Sequence, residues 1–221
     1  MTSLPVTGRP DEVTTRAVVV MDFETTGLYP GQDRAIEVAA VLLVDHRPVE
    51  SFSELMFPGF ALPPFITELT GITNEMLRGR PAPEKVMPRL HGFVRGLPVI
   101  AHNASFDAGF LNAELRRAGL PAHADFLCTM RLARRLVPGL PSYRLHCLVD
   151  ALQVRTPTCF HRAEADVAHT IAVWQRLHDR FVEATGITSP PLSVMRTLMG
   201  KPRRQVPKFL AQLGQPETAS S

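Results

Sequence analysis

Cysteine is scarce in this chain and scattered along it. Cys128, Cys147 and Cys159 are the three in 221 residues, and their spacing offers no close pair, which argues against a disulfide framework and against a zinc site. Reduced, packed thiols are the expectation. Long apolar runs are missing as well: "AVVVM" and "VAAVLLV" fall far short of the ~20 residues that cross a bilayer. The N-terminus has no basic segment followed by an apolar one, so no signal peptide is read there and the expectation is a cytoplasmic protein with no membrane partner. Charge imbalance is small. A formal net charge of +3 permits a polyanionic partner without requiring one. There is no internal repeat and no composition typical of disorder; 45% hydrophobic and 20% charged residues describe a single globular domain with a full core.

Three regions are expected along the chain. Residues 1–15 are polar, with Pro5 and Pro10, and read as a flexible leader. Residues 16–183 read as the folded domain. Strands are predicted at Arg16–Phe23, Ala35–Val44 and Val49–Phe57, the last two joined by "DHRP" as an antiparallel hairpin. A fourth, buried strand is predicted over 97–103, and helices at "PPFITEL", "TNEML", 83–95, 106–118, 129–136, 145–152 and 164–183. This order points to a mixed α/β domain with a partly antiparallel sheet flanked by helices. Residues 184–221 carry Pro190, Pro191, Pro202, Pro207 and Pro216 among basic residues, and the expectation is a Pro-rich basic tail, flexible or partner-binding.

The informative residues are acids where a buried strand becomes a loop. "MDFETTG" puts Asp22 and Glu24 two apart at the end of an apolar strand, so the period of two aims both carboxylates at one face. Like charges held that close repel, and their burial is costly unless a cation sits between them; a metal ion is the expected cation. "HNASFD" places Asp107 in the first turn of a helix after the fourth strand, where the helix end stabilises a carboxylate. "HRAEAD" places His161 five residues before Asp166. At about 100° per residue the two would not share a helix face, so His161 is expected on the preceding loop, folded back over Asp166. Singly each motif has an ordinary structural explanation. Their joint occurrence in one domain carries the weight.

"DFETTG", "LTGIT", "HNASFD" and "HRAEAD" together resemble the signature of the DEDDh exonucleases, the DnaQ-like family that includes the proofreading subunit of bacterial DNA polymerase III. The resemblance runs from about residue 16 to 183. It implies a ribonuclease H-like fold and metal-dependent 3′→5′ hydrolysis of nucleic acid to nucleoside 5′-monophosphates. Asp22, Glu24, Asp107 and Asp166 match the family's metal-binding acids, and His161 its general base. Oxygen ligands suit two Mg²⁺ or Mn²⁺ ions better than zinc, and two such ions can hold both the attacking and the leaving oxygen of a phosphodiester. An imidazole can take the proton of the attacking water near neutral pH.

The resemblance also implies substrate contacts. Thr25, Thr26 and Leu28 would meet the terminal nucleotide, with Leu28 as an apolar wedge; Leu69, Thr70 and Ile72 would lie across the same pocket; Asn103 and Phe106 would sit beside Asp107. His161, with Arg162 where a tyrosine-type relative has Tyr, fits the histidine type, and Thr25 stands where oligoribonucleases typically have Met. The expected substrate is therefore single-stranded or frayed DNA 3′ ends, with the protein either a proofreading partner of a DNA polymerase subunit or a free-standing repair enzyme. An RNA-processing exonuclease of the same chemistry is the alternative, since one 2′-hydroxyl contact decides DNA against RNA. An inert module that binds a polymerase or a nucleic-acid end is a second.

Overall fold

The computed structural model describes residues 17–154 and 161–215; the expected leader and Cys159 lie outside the described residues. Five strands, β1 (Ala17–Thr25), β2 (Ala35–Val44), β3 (Arg47–Leu55), β4 (Val99–Ala101) and β5 (Phe126–Cys128), form one sheet in the order β3-β2-β1-β4-β5. The first three strands are antiparallel neighbours, whereas β1, β4 and β5 run parallel. This is the mixed sheet expected. Asp45 and His46 both adopt left-handed backbone (φ 49° and 63°), the twisted two-residue turn that closes the β2–β3 hairpin.

Alternation in β1 assigns its two faces. Val19, Met21 and Phe23 pack with Val86, Leu90 and Phe110 from α3 (Pro83–Val94) and α4 (Ser105–Arg117). Val18 and Val20 pack on the other side with Leu132, Trp174 and Phe181 from α5 (Thr129–Leu136) and α7 (Ala163–Thr185). By the same period, Asp22 and Glu24 belong to the α7 face. The sheet is thus covered on both sides, and the burial of Val18–Met21 explains why that run is almost wholly apolar. A smaller cluster, Ile36, Leu62, Ile66, Ile72 and Leu77, fixes α1 (Pro64–Thr70) and α2 (Asn74–Leu77) beside the strand ends. Leu148 and Val149 of α6 (Leu145–Ala151) join the cluster on the α7 side.

Two features depart from the sequence expectation. The strand β5 was not predicted; three residues are too few to show a period. More substantially, the expected tail folds back: α8 (Leu192–Gly200) and α9 (Val206–Leu213) join the core, with Met195 and Leu198 fully buried and Leu192 and Val206 nearly so. The prolines there open helices. Pro191 directly precedes α8, Pro202 precedes a 3₁₀ turn at Arg203–Gln205, and Pro207 lies in the first turn of α9. At those positions the missing N–H has no partner to lose.

Candidate active site

Strand β1 runs on to Thr25, so Glu24 lies within it and opposes Glu37 on β2 in register. A bulge follows between Glu24 and Thr25, where the chain leaves the sheet. Asp22, Glu24 and Asp166, the last in the first turn of α7, each bring a carboxylate oxygen within 4.8 Å of the others. Asp107, in the first turn of α4, is buried and accepts the Phe23 N–H at 3.2 Å, which locks α4 to the end of β1. It lies outside the three-acid group but close enough that its charge acts on Asp22 and Glu24.

His161 precedes α7 with left-handed backbone (φ 62°), and its N–H donates to Asp166 Oδ2 at 3.1 Å. The loop therefore does turn back over Asp166, leaving the His161 side chain exposed. Nδ1 of fully buried His169 lies 3.4 Å from the other oxygen, Oδ1. His161 and Asp166 open into a cavity of about 770 Å³ with His102, Asn103, Met130 and Arg144.

Electrostatics mark this spot. Burial, then the charges of Asp107, Asp166, Glu24 and Glu37, push the Asp22 carboxyl well above the ordinary range. Glu24 is raised to about 8, by burial and then by Asp166, Glu37 and Asp107. Asp107 is raised to about 7, chiefly by burial, and Asp166 upward for the same reason. Buried, mutually repelling carboxylates with oxygen donors only are a fit for hard divalent cations, whose charge would favour the ionised form.

The expected substrate contacts divide. Leu28 is 72% exposed and Leu69 53% exposed, both free to meet a ligand; Asn103 is exposed, with left-handed backbone (φ 61°). Phe106 is half-buried against Phe110, ring centroids 4.8 Å apart. Thr70 and Ile72 do not fit the expectation of a side-chain contact. Ile72 is fully buried in the small cluster, and the Thr70 hydroxyl donates to the Ile66 carbonyl and accepts the Ile72 N–H, ending α1. Thr25 and Thr26 are buried too, and they shape the turn: the Thr25 hydroxyl donates to Gly27 O at 2.6 Å, and Thr26 Oγ1 accepts the Arg34 N–H. A Cβ on Gly27 would lie 2.5 Å from the Asp33 carboxylate, which would have to move away from the Thr26 hydroxyl and the Tyr29 N–H that it accepts.

Residues unforeseen in the sequence hold the site together. Glu37 is almost fully buried and takes Arg162 in a two-pronged ion pair with a shortest contact of 2.6 Å, plus the Ala163 N–H. Its signal was an acid inside an otherwise apolar strand. Glu114, inaccessible to solvent, binds Arg34 at 2.9 Å and the Ala35 N–H, tying the loop after β1 to α4. His102 lies between the Thr129 hydroxyl and the Tyr143 carbonyl; burial lowers its pKa to about 4.

Residues 19–174 match the family model described as Exonuclease (RNase_T). The chain belongs to this exonuclease family. It is 33% identical over 178 residues to a DNA polymerase III PolC-type protein of Caldanaerobacter subterraneus, covering 80% of this chain but only 13% of that protein's length. With the DNA polymerase III subunit epsilon of Aquifex aeolicus it shares 35% identity over 160 residues, 72% of this chain and 79% of the relative. Among solved structures, exonuclease X in complex with 5′ overhanging duplex DNA superposes with a TM-score of 0.62 at 30% identity, covering 83% of this chain and 99% of that one. The sheet and its helices are accordingly those of the DnaQ-like, ribonuclease H-like exonucleases.

Proposed function

We propose that the protein is a metal-dependent 3′→5′ exonuclease acting on single-stranded or frayed DNA ends, in proofreading or repair. The observation that carries this reading is the convergence of Asp22, Glu24 and Asp166 on one point, their oxygens within 4.8 Å of one another, in a chain of the exonuclease family. Asp107 completes the acidic set from the opposite element. These four would hold two Mg²⁺ or Mn²⁺ ions, which when bound supply charge neutralisation at the phosphate and activation of water.

The chain's own residues do the rest. His161 lines the cavity with its side chain exposed, and its imidazole would take the proton of the attacking water. Its backbone bond to Asp166 couples the position of that imidazole to a ligand carboxylate. Leu28 and Leu69, both exposed, offer apolar surface to the terminal bases, and such stacking favours little sequence preference. Asn103 offers a side-chain amide at the cavity wall.

The test is a ladder assay on 5′-labelled oligonucleotides with Mg²⁺ or Mn²⁺, using paired, mispaired and single-stranded ends and an RNA control. Stepwise shortening from the 3′ end is expected, lost in Asp22→Ala and in Glu24→Ala. Intact label with both wild type and Asp22→Ala would end the catalytic reading.

A further inference from the structure

The helix α5 carries Arg131, Arg134 and Arg135 at spacings that place them on one face. Two clefts, of about 450 and about 440 Å³, run beside that face. One holds Arg131, Arg134 and Arg135 with Asn103 and Met199; the other holds Arg134, Tyr143, Arg144 and Arg203. Both adjoin the cavity of His161 and Asp166: Met130 lines all three, and Arg144 lines that cavity and the second cleft.

Most arginines elsewhere in the described residues are ion-paired, and the exceptions, Arg47, Arg80 and Arg116, lie on separate elements instead of gathering in one place. Arg34, Arg117, Arg162 and Arg196 each hold a carboxylate at 3.0 Å or less. Among the described residues, none on the α5 face, nor Arg144 or Arg203, is ion-paired. Arg135 instead donates to the carbonyls of Lys201 and Arg131, and Arg134 lies 5.6 Å over the Tyr143 ring. Burial, then the charges of Arg131, Arg203 and Arg134, depress the Arg135 pKa. The fold thus gathers repelling cations from α5, the Tyr143–Arg144 loop and the segment after α8, and leaves them without acids. Guanidinium groups in that state suit phosphate oxygens, which they can grip two at a time, and Met130, Tyr143 and Met199 add apolar surface for bases.

We propose that this groove is a second binding region, holding the phosphodiester backbone of a single strand several nucleotides back from the end that enters the cavity of His161 and Asp166. The inference rests on the nuclease reading above and adds to it a strand path along α5 and the C-terminal segment. A consequence is that α8 and the 3₁₀ turn take part in substrate affinity as well as in covering the core.

The experiment compares the wild type with Arg131→Glu/Arg203→Glu, both exposed positions. The control is Arg47→Glu/Lys85→Glu, which makes the same charge change on β3, at the far edge of the sheet, and on α3. KM is measured for single strands of about four and about sixteen nucleotides, the range a stacking groove spans, between about 50 and 200 mM salt. For the longer strand, the groove variant should raise KM about tenfold or more and lower the salt slope by roughly 0.7 per lost phosphate contact. The shorter strand and the control variant should change little, and Arg131→Lys/Arg203→Lys should keep the wild-type slope. Equal effects on both lengths, or none on either, would overturn the groove while leaving the nuclease intact. A wild type that cleaves neither strand would overturn the nuclease reading itself. Unchanged KM together with lost binding of a polyglutamate peptide would assign the cations to an acidic protein and overturn the strand path.

Discussion

Arg162 and Glu37, 125 positions apart in sequence, clasp each other through Nε and Nη2 at 3.0 and 2.6 Å, and this clasp seats the start of α7 on β2. Glu37 also stands opposite Glu24 in the ladder, so Arg162 offsets a repulsion between like charges that would otherwise face each other directly. Because His161 and Asp166 flank that seat, its loss should be felt at the site as well as in stability. Arg162→Met leaves a buried carboxylate without its cation, and a cost of about 2–3 kcal/mol is expected, discounted for the partial exposure of Arg162. Urea unfolding of Arg162→Met, Glu37→Gln and the double variant measures it. The double variant should be more stable than Arg162→Met alone; a double variant worse than the sum of the two singles would contradict the pairing.

The acid cluster makes a prediction about metal-free protein. Folded Glu24 and Asp107 hold protons up to about 8 and about 7, whereas the unfolded chain releases them near the ordinary carboxylate range. The folded state then binds more protons between about pH 4 and 8, so this contribution to stability is present at low pH and lost as pH rises. A bound divalent cation removes the dependence by favouring the charged forms. The rise in Tm on adding Mn²⁺ or Mg²⁺ should therefore be larger at about pH 8 than at about pH 5.5. An equal rise at both pH values would mean that the cation binds elsewhere.

His102 acts in the opposite direction. Its folded pKa of about 4 lies below the unassisted 6.5, so its contribution is present above 6.5 and is lost as pH falls toward 4. A shift of that size corresponds to about 3 kcal/mol at full expression. His102→Gln removes the titration. The stability difference between wild type and His102→Gln should shrink as pH drops from about 7 to 4.5, measured by denaturant unfolding with EDTA present in both.

His161 and Asp22 should fail differently. Asp22→Asn is expected to abolish turnover and to weaken Mn²⁺ binding in calorimetry. His161→Gln should lower kcat by roughly a hundredfold or more, the usual worth of a general base, with Mn²⁺ affinity within a factor of about three. Parallel loss of metal binding in both variants would remove the distinction between ligand and base.

Much of this architecture was legible in the sequence because its signals are local. The strand over 35–44 and the helix over 129–136 appear with the predicted bounds, set by apolar runs and helical spacing, and "DFETTG" announced acids at a strand end. What the sequence does not show depends on partners distant in the chain. Glu37 reads as a stray charge until Arg162 is brought to it, and Glu114 as a surface acid until Arg34 and Ala35 close over it. Thr70 and Ile72 lie in a motif that looks like a binding loop, yet one ends a helix and the other fills a cluster. The folded C-terminal segment was hidden because its prolines read equally well as helix openers or as interruptions, and only its burial decides between them.

That segment changes where the unit of folding ends. The family model stops at residue 174, within α7, whereas Leu192, Met195, Leu198 and Val206 fill the same core as Trp174 and Phe181. A protein cut at residue 183 would present the apolar underside that these side chains cover, a surface prone to self-association. Anyone transplanting the domain or fusing it to a tag should therefore carry the chain through Leu213.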